Sequence, residues 1–400
     1  MKRPKKRPRI AALVSIYRKH AHAQHIVDRF LEGYGWEGRH HCPEMDVVSM
    51  YVDQVGDDDV SHERATRHAG LTLYPTIAEC LTLGGSDLAV DGVLIIAEHG
   101  DYPVNDKGQT LWPRYEFFKQ MESVFRTCGR SVPVFNDKHL SWNWDWALEM
   151  YQVSRELDFP FMAGSSLPVT WRVPEIEMPD DARIEEALCV GVSWIDGGDF
   201  HAFETVQAMV ERRHGGETGI KWLQGFRGEA FWQAHAKGLW SRDLFETCLN
   251  RSHTLTSARP GFNDVSPTID EMKSLMKDPW AYAYEHRDGL RCAIIAGNGL
   301  VGDFNFAARL KGQDRPLSTN IYLPMPSPPG TLASFFSPLT HNVEQMFLTG
   351  RETSPIERTL LTTGLTEAGA TSLHQDGARI DTPHLKISYQ ASAESTHWRT

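Results

Sequence analysis

The first 165 residues alternate between short apolar runs of strand length and longer segments with apolar residues at helical spacing. The strand-like runs are IAALVSIY, DVVSMYVD, VDGVLIIAEHG and SVPVFNDKHL, and the clearest helical segments are HAQHIVDRFLEGY and RYEFFKQMESVFRTCG. Alternating strands and helices predict a parallel sheet covered on both faces, with ligands bound beyond the carboxyl ends of the strands. We therefore expect an α/β, Rossmann-like domain over residues 10–165.

The pattern changes beyond this point. Residues 166–385 mix strand-like runs with a long helix, which predicts an α+β domain with a mainly antiparallel open sheet and helices on one face. Residues 386–400 are expected to form a tail. The Pro-, Ser- and Gly-rich segment SPPGTLASFFSP, from Ser327 to Pro338, predicts an exposed connection.

Charge and hydropathy exclude several functions. A net charge of -11 argues against a nucleic-acid-binding protein, which needs clustered Lys and Arg. Residues 1–9 are basic and contain two prolines, which predicts a disordered arm. No uninterrupted apolar run approaches the roughly 20 residues that cross a bilayer. We expect a cytoplasmic protein with a small-molecule substrate and with neither nucleic acid nor a membrane as partner.

Polar and titratable residues follow each predicted strand of the first domain. The exits carry Tyr17, Arg18, Lys19, His20 and His22, then Asp53, then Glu98, His99, Asp101 and Tyr102, and finally Asp137, Lys138 and His139. Because the carboxyl ends of parallel strands share one edge of a sheet, these side chains are expected to form a site.

The second domain adds a glycine turn that opens a helix, GGDFHAFE, with Asp199, His201 and Glu204. A helix-capping role explains Asp199 as well as chemistry does. Trp171 and Arg172 lie where the chain crosses between the domains, and Trp171 suits either stacking on a sugar ring or packing in the seam.

The order of these elements resembles that of the Gfo/Idh/MocA oxidoreductases, two-domain enzymes that mostly oxidise or reduce sugars and polyols with a nicotinamide cofactor. In that family a strand ends in a Glu-Lys-Pro signature with a catalytic Lys, and here Asp137-Lys138-His139 keeps only the Lys. The stretch GGDFHAFE looks like the turn and helix start of the family's second domain.

The resemblance implies that Lys138 and His201 transfer protons, while Asp199 and Glu204 orient the substrate or the imidazole. It implies NAD or NADP as cofactor, a carbohydrate-like substrate and a homo-oligomer. The residues assigned to the cofactor are Tyr17, Arg18, Asp53, His99 and Asp137, and those assigned to the substrate are Asp101, Tyr102, His139, Trp171 and Arg172.

The first turn departs from the family pattern, because it contains no glycine before Gly33. Glycine at this turn lets backbone amides approach a pyrophosphate, and here Arg18 and Lys19 either hold the phosphates by charge or serve an anionic substrate. Two other functions therefore stay open: a dinucleotide-independent lyase, isomerase or hydrolase, and a non-catalytic binding protein.

A metal ion, Zn²⁺ or Mn²⁺, would assist the first of these alternatives. Its candidate ligands are His99, Asp101, Asp137, His139 and His201. The pair His20 and His22 is a weaker candidate, because it opens a helix on which the two rings are expected to diverge.

Overall fold

The computed structural model describes residues 7–259, 266–323, 333–392 and 395–399. Its strands are β1 (Arg9–Ile16), β2 (Tyr34–Trp36), β3 (Arg39–His41), β4 (Asp46–Gln54), β5 (Thr72–Leu73), β6 (Gly92–Ile96), β7 (Val134–Asp137), β8 (Phe161–Gly164), β9 (Arg172–Val173), β10 (Ile184–Gly191), β11 (Ile220–Arg227), β12 (Trp280–His286), β13 (Arg291–Ala296), β14 (Phe304–Leu310), β15 (Leu317–Ile321) and β16 (Ile380–Asp381).

The helices are α1 (His22–Glu32), α2 (Ser61–Arg67), α3 (Ile77–Thr82), α4 (Arg114–Cys128), α5 (Trp144–Glu156), α6 (Gly197–Val210), α7 (Glu229–Ala236), α8 (Arg242–Arg251), α9 (Ile269–Leu275), α10 (Phe336–Thr349) and α11 (Ile356–His374), with a short 3-10 helix at Pro383–Leu385.

The first sheet is parallel, with the order β5-β4-β1-β6-β7-β8. Successive residues of β1 point to opposite faces. Ala12 and Val14 join one apolar core, and Ala11 and Leu13 join the other. Burial on both faces is what a covered parallel sheet requires, and the predicted Rossmann-like domain is confirmed.

The second sheet has the order β16-β11-β12-β13-β10-β14-β15-β9 in the described residues. Its pairings are antiparallel except that between β10 and β13, as predicted. The expectation of helices on one face was wrong. Cys189 of β10 packs in the core that contains α6, whereas Leu188 packs in a separate core with Leu244 of α8. Both faces of this sheet are therefore covered.

The chain changes from the first sheet to the second between Gly164 and Arg172, close to the predicted boundary. It later returns, because α10 packs against α1 and β2 of the first domain. The predicted exposed connection lies partly outside the described residues, and its described end is not exposed. Phe335 and Phe336 are each only 4% exposed, since they pack against the first domain.

Two further sequence predictions concern the ends and the membrane. Residues 1–6 of the basic arm lie outside the described residues, while Arg7 forms an ion pair with Asp46. No helix in the described part of the chain is long and apolar enough to cross a membrane.

Candidate active site

A cavity of about 330 Å³ lies at the carboxyl ends of the parallel strands, between the two sheets. Residues from both domains and from the start of α10 line it. They are His20, His22, His25, Glu98, His99, Lys138, Ser165, Ser166, Trp194, His201, Leu323, Phe335 and Phe336. Only some of the residues predicted at the strand exits therefore line this cavity.

Lys138 and His201 meet in the wall of the cavity. The Lys138 Nζ contacts His201 Nε2, and it lies 3.7 Å from Glu98 Oε1. Lys138 directly follows β7, and its side chain is 1% exposed. His201 lies in the first turns of α6, which enters the site through the glycine turn. The two residues therefore come from different domains and form a single buried pair.

A chain of hydrogen bonds continues from this pair into the protein. His201 Nδ1 lies 3.0 Å from Ser165 Oγ, and the Ser165 hydroxyl donates to Glu204 Oε2. The Ser165 amide also donates to Glu204, at 3.0 Å. Because the hydroxyl donates to the carboxylate, we assign the imidazole proton to Nδ1, which leaves Nε2 to accept from Lys138. We call the Lys138–His201–Ser165–Glu204 chain the proton relay.

Burial sets the protonation states along the relay. Burial, and then the charge of Lys138, holds the pKa of His201 well below its usual value, so the imidazole is neutral at neutral pH. Burial raises the pKa of Glu204 to about 7. Burial would also raise the pKa of Glu98, but the charges of Lys138 and Arg114 outweigh it and hold that pKa below its ordinary value.

Further histidines line the cavity. His22 Nδ1 lies 2.7 Å from Asp137 Oδ2, and the rings of His22 and His99 are 5.0 Å apart. His25 stacks on Phe336 with ring centroids 5.0 Å apart. His20 and His22 both line this cavity, but their rings contact different neighbours: the His20 ring lies 6.2 Å from that of His25, and the His22 ring lies next to His99.

His25 was not predicted as a site residue, and His22 was predicted only as a strand-exit residue without a role in cofactor or substrate binding. Their spacing of three residues on α1 places both on one helix face, which is the signal that sequence reasoning could have used. Burial lowers the pKa of His25 to about 3 and that of His99 to about 4, so both rings are neutral at neutral pH. The His99 Nδ1 atom is buried without a hydrogen-bond partner.

Two predicted residues lie behind the cavity rather than on it. Asp199 accepts hydrogen bonds from the Ser193 hydroxyl at 2.6 Å, the Trp280 indole at 2.9 Å and the Tyr282 hydroxyl at 2.8 Å. All three donors belong to the second domain, so Asp199 joins α6 to its sheet. His139 is buried, and its Nε2 lies 3.2 Å from Asp196 Oδ2. Neither residue lines the cavity.

Trp171 and Arg172 lie in the seam between the domains. Trp171 stacks on Trp398 with ring centroids 3.8 Å apart, which corresponds to the packing alternative. Arg172 is 5% exposed and pairs with Glu177 at 3.2 Å. Neither lines the cavity, contrary to their assignment to the substrate.

The turn after β1 is closed by neighbouring residues. Tyr17 is fully buried, and its hydroxyl donates to Asp28 at 2.5 Å, so it has no access to a cofactor, contrary to the expectation. The Val60 amide donates to the Tyr17 carbonyl at 2.8 Å. Arg18 forms an isolated β-bridge with Asp59 and an ion pair with Asp58 at 3.6 Å. The segment before α2 therefore lies across this turn.

The end of β4 is also engaged by protein groups. Both carboxylate oxygens of Asp53 accept a tyrosine hydroxyl, from Tyr51 at 2.7 Å and from Tyr102 at 2.8 Å. The Gln54 side chain pairs with the backbone amide and carbonyl of Asp101, at 2.8 and 2.9 Å. Asp53, Asp101 and the half-buried Tyr102 therefore form one cluster at the sheet edge, apart from the cavity lining.

The candidate ligands at the strand exits do not form a metal cluster within the described residues. No three of them bring ligand atoms close enough together to hold one ion. Asp137 explains part of this result, because one of its carboxylate oxygens is held by His22. The expected metal set at the strand exits is therefore not supported.

The two sheets, their order and the cavity between them define a fold class: the chain has the fold of the Gfo/Idh/MocA-type oxidoreductases. GenD2 from gentamicin A biosynthesis, solved in complex with NAD, shares this fold with a TM-score of 0.57 and 12% identity, over 95% of this chain and 99% of that one. The scyllo-inositol dehydrogenase from Lactobacillus casei, with bound NAD(H) and scyllo-inositol, has a TM-score of 0.56 and 11% identity, over 94% and 99%.

The myo-inositol 2-dehydrogenase from Lactobacillus plantarum is similar to the same extent, with a TM-score of 0.54 and 11% identity, over 94% of this chain and 99% of that chain. Neither the models of protein families nor the curated proteins give a match to this sequence. At this level of identity the likeness establishes the fold, and the activity has to be argued from the site.

Proposed function

We propose that this chain is an enzyme that moves protons on a small, sugar-like hydroxycarbonyl compound, with Lys138 and His201 as the catalytic pair. The observation that carries the proposal is the direct contact between these two buried side chains in the wall of the cavity. A volume of about 330 Å³ is at the lower end of the roughly 300–1,000 Å³ of small-molecule pockets, and it suits a single sugar ring.

The proton relay gives each group a role. When the substrate carbonyl oxygen takes over the hydrogen bond from Lys138, the lone pair of the neutral His201 Nε2 becomes free, and this nitrogen is the base that takes a proton from the substrate carbon next to the carbonyl group. The electron pair moves onto the carbonyl oxygen, which accepts a proton or a hydrogen bond from the Lys138 ammonium. The imidazolium passes its Nδ1 proton through the Ser165 hydroxyl to Glu204, whose pKa of about 7 suits it to receive and return a proton near neutrality.

A dinucleotide does not fit the Rossmann turn as it stands. The turn has side chains where a pyrophosphate needs glycine, the segment before α2 is hydrogen-bonded across it, and Asp53 already accepts two hydroxyls where a ribose would bind. We therefore favour isomerisation or elimination, in which the proton leaves one carbon and returns to its neighbour or departs with a hydroxide as water. These reactions need no dinucleotide.

Hydride transfer with NAD or NADP is the competing function, and the fold of the dehydrogenases named above favours it. One experiment separates the two. The full chain is incubated in D₂O with a panel of aldoses, ketoses and keto-inositols, with and without NAD⁺ or NADP⁺. Proton NMR follows deuterium entry next to the carbonyl group, and absorbance follows reduction of the dinucleotide.

We expect deuterium entry into at least one compound without a dinucleotide. Lys138→Ala should slow it by about 10²- to 10⁴-fold, which is the usual contribution of one acid–base group. Lys311→Ala, which removes an exposed lysine of the second domain, is the matched control and should be unaffected. Turnover that requires NAD⁺ or NADP⁺ and produces the reduced form would instead establish the oxidoreductase.

A further inference from the structure

A second cluster of ionisable groups lies outside the cavity, between α10 and the β2–β3 hairpin. His341 and Glu344 are three residues apart on one face of α10, and His41 is the last residue of β3. One ligand atom from each of the three residues lies within 4.8 Å of the others. In the described part of the chain, this is the group of His and acidic residues whose geometry suits one metal ion.

The carboxylate of Glu344 is buried, and its surroundings orient it for binding a cation. Its side chain is 1% exposed, and no Lys or Arg of the described residues forms an ion pair with it. The Glu44 amide donates to Oε1 at 2.9 Å and fixes the carboxylate, which directs Oε2 at the two histidines. A buried carboxylate without a cation is costly, and a backbone amide that orients a ligand is typical of the surroundings of metal sites.

Two other polar side chains contact Glu344 Oε2. His41 Nε2 lies 2.8 Å from Glu344 Oε2, and the Tyr34 hydroxyl lies 2.9 Å from Oε2 and 3.3 Å from His341 Nδ1. Donor atoms around a tetrahedral zinc ion are separated by about 3.3 Å, given bonds of roughly 2.0 Å. Small side-chain rotations would therefore let both imidazoles and the carboxylate bind one ion, with the Tyr34 hydroxyl next to it.

We propose that His41, His341 and Glu344 form a binding site for Zn²⁺ that fastens α10 to the β2–β3 hairpin. Two imidazoles and one carboxylate are a ligand set that zinc accepts, whereas Mg²⁺ and Ca²⁺ prefer oxygen alone. The site is open to solvent on one side, because the His41 side chain is 29% exposed. Stacking of His341 on Trp36, with ring centroids 4.0 Å apart, holds that ring in position.

The site is separate from the catalytic pair but shares a helix with the cavity wall. Phe336 begins α10 and lines the cavity, and the two ligands follow it within the next three turns. Zinc bound here would fix the helix that carries Phe336. Its role is structural, and it takes no part in the proposed proton transfers.

The test uses the full chain after treatment with EDTA. Co²⁺ is added in steps, and its visible absorption reports tetrahedral coordination; Zn²⁺ is then added to displace it. We expect one equivalent to bind, and a higher temperature of unfolding with Zn²⁺. His341→Ala and the nearly isosteric Glu344→Gln should each weaken binding by about 100-fold or more, since loss of a ligand exceeds the 10- to 100-fold effect of an orienting group.

Two control variants make the result specific. His62→Ala removes an exposed histidine from α2 and should leave binding unchanged. Lys138→Ala should also bind the metal normally, so failure of the proposed enzymatic function and failure of this site are distinguishable. Absence of a tetrahedral cobalt spectrum in the wild-type chain, or binding that survives both His341→Ala and Glu344→Gln, would overturn the proposal and leave a hydrogen-bonded cluster only.

Discussion

Glu204→Gln should change how the stability of the protein depends on pH. Glu204 is 1% exposed, and it accepts hydrogen bonds from the amide and the hydroxyl of Ser165. Burial outweighs these bonds and raises its pKa from the usual 4.5 to about 7. Gln keeps the shape and an acceptor oxygen but carries no titratable proton, so the variant removes the pH-dependent contribution of this one group.

The sign and size follow from proton linkage. A raised pKa means that the folded chain binds more protons than the unfolded chain between about pH 4.5 and pH 7. The contribution to stability is therefore fully present below about pH 4.5 and is lost as the pH rises through 7. A shift from 4.5 to about 7, at about 1.36 kcal/mol per unit, corresponds to about 3 kcal/mol. The Glu204→Gln variant does not lose this stability as the pH rises, because Gln does not titrate.

The assay is urea-induced unfolding, followed by tryptophan fluorescence at several values between about pH 4.5 and pH 8. We expect the free energy of unfolding of Glu204→Gln, minus that of the wild type, to rise by about 3 kcal/mol across this range. Asp199→Asn is the matched control, because burial raises the pKa of Asp199 from 3.8 to only about 6, so its change should be complete at lower pH. A difference that does not vary with pH would refute the reasoning.

Two further predictions concern the relay and the buried charges. Gly164→Ala should disable the relay, because the φ of Gly164 is +129° and a Cβ there would clash with the Glu204 carboxylate. Deuterium exchange should fall about as far as in Lys138→Ala. Gly35→Ala, which has open space around it, is the control and should be unaffected. Arg358→Ala should lower the free energy of unfolding by about 3–5 kcal/mol, measured with urea, because it leaves the buried Glu211 carboxylate without its guanidinium partner. A loss below about 1 kcal/mol would contradict the second prediction.

Much of the fold is readable from apolar periodicity. The predicted segments coincide with observed elements where the apolar pattern is strong, as in β1 and β6, which are almost wholly buried, and in α4. The short strands β2, β3 and β5 carry no such pattern and were not predicted. The covering of the second sheet was predicted less accurately. β10 ends in six consecutive buried residues, which is the pattern of a strand covered on both faces, yet we expected helices on one face only.

The candidate site was predictable where the backbone alone decides the position. Lys138 and His99 follow parallel strands, so the edge of the sheet brings them together. The direction of a side chain depends instead on partners that are distant in sequence. Asp199 turns toward Trp280 and Tyr282, some 80 residues further on, and no local pattern reveals those donors.

The first turn, which lacks glycine, shares a backbone conformation with two other positions. His20, His99 and Lys138 have φ values of +67°, +72° and +69°, a conformation in which glycine is favoured and other residues cost of order 1–3 kcal/mol. Each follows a parallel strand, and each lines the same cavity. Glycine would suit the backbone at all three places, yet the chain has imidazole or amine groups there. At the first turn, His20 therefore stands where a pyrophosphate-binding turn needs glycine, and its side chain lines the candidate cavity.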